Sequence, residues 1–240
     1  LGTAAGYGVN LPLARQQASD ELGFDRLAIN PMAAQASRGK HEHQVLAALW
    51  QAMQDIRRLA WDLSLFSTQE FAFVTMPDRA TTGSSIMPNK RNPDLVELLR
   101  ASSAVVAGCM NELQQLLSLP SGYHRDLQLT KGPLIRAIKT CTDALTMVPM
   151  LLTETRFDVD RMRSCIDPSM LTTDRAVELA VSGIPFRDAY KRVADATGTM
   201  GPGNIDASVR DRVSPGACAD LRLDEIAQFI DQTRAAANPD

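Results

Sequence analysis

No apolar run in the 240-residue chain is long enough to cross a bilayer, and no stretch has the charged, apolar and small-residue order of a signal peptide. Neither sign of charge dominates: 25 Lys and Arg face 28 Asp and Glu, for a net charge of −3, and no basic stripe stands out. Nucleic acid and membrane are therefore not expected partners. The four cysteines, Cys109, Cys141, Cys165 and Cys218, are widely spaced and form no CxxC, which argues against a thiolate metal centre and a redox pair. Buried thiols in a reducing, cytoplasmic setting are expected instead. Of the three histidines, His41 and His43 are two residues apart at a predicted helix start, where the rings point away from each other. No further His or Cys is near them, so no metal site is expected. Aromatic residues make up only 5% of the chain, while Ala, Leu and Met are plentiful, a composition that favours helix. The length allows a real core and one or two domains.

Residues 1–40 read as turns around one short helix, Leu13 to Leu22, stopped by Gly23. Three long helical segments follow. Leu46, Leu49, Met53, Ile56, Ala60 and Leu63 recur at alternating steps of three and four, the spacing of a bundle seam. Leu95, Leu99, Ser102, Val106, Cys109, Leu113 and Leu116 form the second seam. Leu134, Ile138, Cys141, Leu145, Val148 and Leu152 form the third, with a kink predicted at Pro149. The second segment also carries Val96, Leu98, Val105, Met110 and Leu117 off its seam, so it should be buried on more than one side, by neighbouring subunits. The expected fold is all-α: a long-helix bundle completed by oligomerisation over residues 1–157, and a small helical domain over 158–240. In the latter, helices are expected from Thr172 to Ser182, stopped by Gly183, from Pro185 to Ala194, and from Asp224 to Ala235. A Gly- and Pro-rich loop should separate the last two, at Gly198 to Asn204.

The densest chemistry precedes the second long helix, in "TTGSSIMPNKRNPDLVELL", Thr81 to Leu99. Asn92-Pro93-Asp94 has an ordinary explanation. Asn caps a helix, Pro is preorganised at its first position, and Asp suits the positive end of the helix dipole. That reasoning leaves Gly83-Ser84-Ser85 and Lys90 unaccounted for. A Gly-Ser loop with a lysine, ending at a helix N-terminus, suits an anionic ligand, with a plain polar linker as the alternative.

"GSSIMPNKRNPD" resembles the GSSxMPxKxNP signature of the fumarase/aspartase superfamily, with Gly83, Ser84, Ser85, Met87, Pro88, Lys90, Asn92 and Pro93 all present. Within it the chain is similar to the argininosuccinate lyase family. Asp94 after the NP, "LPSGYHRDLQLTK" at Leu119 to Lys131, "WDLSLFSTQEFAFVTMPDRATTGSSIMP" and "GIPFRDAY" carry that likeness. It extends from about Leu11 to Val193 and corresponds to the C-terminal half of a family member. The N-terminal domain is then missing, and a chain opening at Leu1 without methionine is expected to be part of a longer one.

The resemblance implies reversible β-elimination of argininosuccinate to arginine and fumarate, in arginine biosynthesis, by a cytoplasmic homotetramer without metal or cofactor. Within the signature loop, residues 78–92, it makes Ser84 the catalytic base. Lys90 stabilises charge, and Asn92, with Ser85 and Met87, binds substrate. Glu97 would orient a histidine supplied from elsewhere, although an i,i+3 ion pair to Arg100 is its ordinary reading. Tyr123, Arg125, Gln128 and Lys131 match the family's positions for the arginine end of the substrate. His124 departs from the usual asparagine. Arg38, in "ASRGK", is similar in position to a family arginine, though the following Gly-Lys departs from the pattern. The remaining catalytic segments lie upstream in the family, so this chain alone is expected to be inactive. Two alternatives stay open: another fumarate-releasing lyase, such as adenylosuccinate lyase, and a non-catalytic, crystallin-like relative.

Overall fold

The structure, a computed structural model, describes residues 8–117, 124–196 and 203–237, and divides into two compact units, Leu1–Arg161 and Met162–Asp240. Tyr123 and most of the expected Gly198–Asn204 loop lie outside the described residues.

The first unit opens with two short helices. Helix α1 (Arg15–Glu21) ends as expected before Gly23, which turns the chain at φ +70°. Helix α2 (Pro31–Ala36) was not expected. Its start is nonetheless written in the sequence: the Asn30 side chain accepts from the amides of Met32 (2.9 Å) and Ala33 (3.3 Å), and Pro31 takes the first position. Six residues are too few to show an apolar period.

Helix α3 (Lys40–Phe66) buries Leu46, Met53, Ile56, Ala60 and Leu63, the expected seam, with Leu49 partly buried against it. Helix α4 (Asp94–Leu117) buries Val96, Leu99, Ser103, Val106, Cys109 and Leu113. Its contact face is therefore rotated from the expected one, with Val96 and Ser103 inside and Leu95 and Ser102 half-buried. Helix α5 (Lys131–Glu154) departs further. It buries Pro133, Ala137, Cys141, Ala144 and Leu151, while Ile138, Leu145 and Leu152 of the expected seam are 42%, 51% and 41% exposed. The helix is apolar on two faces, and the face carrying Ala137, Cys141 and Ala144 is the one packed inward. The larger aliphatic side chains are left on the open face.

Cross-links fix the helix directions. His43 of α3 meets Gln114 of α4 at 3.0 Å, and Ser64 near the other end of α3 accepts from Arg100 of α4 at 3.2 Å. Near the start of α5, Arg136 donates to Cys109 (3.2 Å) and Glu112 (2.6 Å) of α4. The three helices thus run up, down and up, with α4 antiparallel to both neighbours. Each fully buried side chain of the Leu46, Leu113 and Leu151 kind contributes about 1.5–3 kcal/mol to the bundle.

Among the described residues, four two-residue strands accompany these helices. Strand β1 (Val74–Thr75) pairs with β4 (Arg156–Phe157), and β2 (Thr82–Gly83) pairs with β3 (Arg91–Asn92), both antiparallel. Beside β1 the rings of Phe66, Phe71 and Phe73 cluster, with Phe73 centred 5.6 Å from Phe66 and 5.3 Å from Phe71.

The boundary between the units falls within α6 (Val159–Ser164). The second unit has α7 (Thr172–Val181) and α8 (Phe186–Ala196), joined through Gly183 at φ +101°, with Ala176, Ala189 and Val193 buried. Helix α9 (Ile205–Arg210), not expected, is capped by the Asn204 side chain, which accepts from the Ala207 amide at 3.0 Å. Arg212 closes onto Asp174 of α7 at 2.9 Å. Helix α10 (Leu223–Ala237) buries none of its residues. Cys109 and Cys141 are buried, and burial pushes the Cys141 thiol above its ordinary pKa. Cys165 is half-buried and Cys218 exposed, so the expectation of buried thiols holds at Cys109 and Cys141 only. Among the described residues no helix is long and apolar enough to cross a membrane.

Candidate functional site

The signature forms a β-hairpin. Thr82 lies opposite Asn92 and Gly83 opposite Arg91, and residues 84–90 make the tip. Ser84 is half-buried at the point where the chain leaves β2, whereas Ser85, Met87 and Lys90 are exposed. The Ser84 Oγ accepts hydrogen bonds from the amides of Ile86 (3.2 Å) and Met87 (3.1 Å). The Lys90 amide donates to the Met87 carbonyl at 3.1 Å, closing the tip. Two N–H dipoles aimed at one hydroxyl oxygen favour negative charge there, as oxyanion-binding amides do.

The helix start differs from the expected one. Helix α4 begins at Asp94, and the Glu97 amide donates to the Pro93 carbonyl at 3.1 Å, which makes Pro93 the cap position. Asn92 belongs to the hairpin ladder instead, because pairing with Thr82 extends the strand through the position where a cap would sit. Glu97 lies one turn into the helix with its carboxylate 3.9 Å from Arg100. Arg100 also reaches Ser64 and stacks over the Trp61 ring, 5.3 Å from its centroid.

Three anchors at the hairpin base gave no signal in the sequence. Arg79 Nε donates to Glu154 Oε2 at 2.9 Å, and its terminal nitrogen pairs with the other oxygen. Arg91 lies 3.3 Å from Asp78, and the Thr81 hydroxyl donates to the Asp78 carbonyl at 3.0 Å. Partners 75 residues apart leave no periodic trace, and a lone Arg or Glu reads as ordinary surface charge.

The second candidate cluster lies elsewhere. Arg38, His124, Arg125 and Gln128 line one pocket of about 540 Å³. Arg38 comes from the turn before α3, and the other three come from the 3₁₀ segment Arg125–Thr130 and its leading residue. Lys131 opens α5, and its Nζ donates to Gln128 Oε1 at 2.8 Å. The Thr130 hydroxyl reaches Glu42 of α3 at 3.4 Å. The structure thus brings Arg38, Arg125, Gln128 and Lys131 together, with His124 beside them, while Tyr123 is outside the described residues. His43 meets Gln114, and His41 faces a different cavity, lined by residues of α1 and the segment after it.

The two clusters stand at opposite ends of the bundle. The hairpin precedes the first residue of α4, and the Arg38–Gln128 pocket lies where α3 and α5 begin and α4 ends. A helix of 24 residues spans about 35 Å at 1.5 Å per residue. One small substrate cannot touch both clusters of the same chain.

Comparisons with known proteins agree with this architecture. The family model described as "Lyase" matches residues 1–108. An argininosuccinate lyase of Xylella fastidiosa is 53% identical over 242 residues, covering 100% of this chain and 54% of that protein. One of Xanthomonas campestris pv. campestris is 57% identical over 225 residues, covering 93% and 52%. A crystal structure of EDDS lyase in complex with formate shares the fold, with TM-score 0.75 and 23% identity over 98% of this chain and 55% of that one. By sequence the chain belongs to the argininosuccinate lyase family, spanning about half the length of the curated relatives it matches.

Proposed function

We propose that this chain is the part of an argininosuccinate lyase that supplies the base loop for one active site and the arginine-binding cluster for another. The observation that carries this reading is the pair of amides, Ile86 and Met87, directed at the Ser84 oxygen. A serine hydroxyl is a weak base near neutral pH, and hydrogen bonds that favour its alkoxide address that difficulty. The alkoxide takes the proton from the carbon beside the substrate carboxylate, and the C–N bond to the leaving guanidino nitrogen breaks. The dianionic aci-carboxylate formed on the way needs positive charge and donors, which Lys90 and Asn92 supply, with Ser85 and Met87 lining the same loop. An acid from elsewhere protonates the departing nitrogen. Glu97 orients the histidine partner from another segment, its Arg100 contact at 3.9 Å holding the carboxylate in place.

Arg38, Arg125, Gln128 and Lys131, with Tyr123, hold the arginine end of a substrate. Because some 35 Å of helix separates them from Ser84, they serve a site whose base comes from another copy. The assembly is a homotetramer, built on the open apolar faces of α4 and α5 and working in the cytoplasm. Residues 1–157 belong to its central bundle, and the small C-terminal domain lies within 158–240. Replacing Ser84 by Ala in a full-length protein containing this chain should abolish fumarate release, followed by ultraviolet absorbance, and leave substrate binding measurable. Retained turnover would move the base elsewhere.

A further inference from the structure

We propose that Arg79 is a positioning residue for the Ser84 hairpin, acting through its two-pronged ion pair with Glu154; this rests on the reading of Ser84 as the base. The hairpin ladder is only two residue pairs long, and its tip is exposed, so the tip's position depends on what holds the base. Arg79 lies five residues before Ser84, beside Ala80, which is 1% exposed. Its guanidinium grips both oxygens of Glu154, the last residue of α5. Bidentate Arg–carboxylate pairs fix orientation as well as distance, which a Lys cannot reproduce.

Glu154 stands at the wrong end of its helix for a carboxylate, because the last turn of α5 exposes carbonyl oxygens and carries the negative end of the dipole. Arg79 offsets that repulsion, and its placement ties the end of a bundle helix to the strand that leads into the base. The side chains are 57% and 40% exposed, so the pair adds little to stability. Geometry responds differently. A small displacement of the base from the carbon it deprotonates slows the chemical step steeply while leaving ground-state binding in place. Arg91 and Asp78 brace the other strand but lie 3.3 Å apart at 67% and 90% exposure, a looser tie.

The test compares Arg79→Met, Arg79→Lys, Glu154→Gln and the exchanged pair Arg79→Glu/Glu154→Arg in a full-length protein containing this chain. For Arg79→Met and Glu154→Gln, kcat should fall between about ten- and a hundredfold with KM and the thermal unfolding midpoint nearly unchanged. Arg79→Lys should keep an intermediate kcat, and the exchanged pair should recover most of it. A wild-type kcat in Arg79→Met overturns the inference. So does a fall in kcat that only tracks a loss of folded protein. Ser84→Ala, assayed in parallel, separates the two readings. If it keeps turnover, the base assignment fails; if it is dead while Arg79→Met is unimpaired, only the role of Arg79 falls.

Discussion

Gln114 of α4 contacts the His43 ring of α3 at 3.0 Å, near the end of α4 and the start of α3. Fourteen residues earlier in α4, Arg100 reaches Ser64 near the end of α3. These two cross-links set the helices antiparallel and send the signature hairpin and the Arg38–Gln128 pocket to opposite ends of one bundle. The proposed division of labour between copies rests on that direction: the hairpin and the pocket lie too far apart in one chain for a single small substrate to touch both.

The bundle depends on its fully buried side chains. Leu46 and Leu113 are fully buried, and truncation of either to Ala should lower unfolding stability by about 2–5 kcal/mol, measured by urea titration. Leu145→Ala, at a position 51% exposed, should cost under about 1 kcal/mol in the isolated chain. An equal loss at Leu145 and Leu113 would mean that the inward face of α5 has been assigned wrongly.

Gly39 precedes α3 at φ +83°, where a side chain is strained, and a Cβ there would come within 2.3 Å of Leu117 Cδ2. The leucine end can rotate away, but the backbone strain stays. Gly39→Ala should therefore destabilise the bundle by about 1–2 kcal/mol. It should also displace the neighbouring Arg38, so in the full-length protein KM for the arginine-bearing substrate should rise more than kcat falls. An unchanged KM would detach Arg38 from the arginine cluster.

The second unit should show acid sensitivity through Asp206. Its carboxyl is held below the ordinary aspartate pKa, first by the hydrogen bond from Arg163, then by the charges of Arg163 and Arg210. A depressed pKa favours the charged form in the folded state. The stabilisation is present above the unfolded aspartate pKa and is lost as the pH falls through the folded one. Asp206→Asn should lower the unfolding midpoint at neutral pH, and the gap from wild type should close as the solution is acidified. A gap that widens in acid would reverse the assignment.

Much of this was legible in the sequence because the physics is local or periodic. The α3 seam is legible at Leu46, Met53, Ile56, Ala60 and Leu63, all buried, since that helix has one apolar stripe. In α5 the same periodicity marks the outer face, at Ile138, Leu145 and Leu152, because spacing alone does not reveal which of two apolar faces packs inward. The signature loop is visible through its fixed residue types, and Arg38 of the pocket through the same likeness. The hairpin itself was hidden: its strands are two residues long, and Asn92 reads equally as a cap and as a strand residue. The Arg79–Glu154 pair was also hidden, since only the tertiary fold brings its halves together.

The most direct test of the shared-site account uses two inactive full-length variants, Ser84→Ala and Gln128→Ala, each containing this chain. Dissociated, mixed in equal amounts and reassembled, they combine intact base loops with intact arginine clusters from different copies. If each site draws these parts from separate subunits, random mixing restores about a quarter of wild-type fumarate release. If both parts served one site within a single chain, no mixed assembly would contain an intact site, and turnover would stay at the level of the unmixed variants.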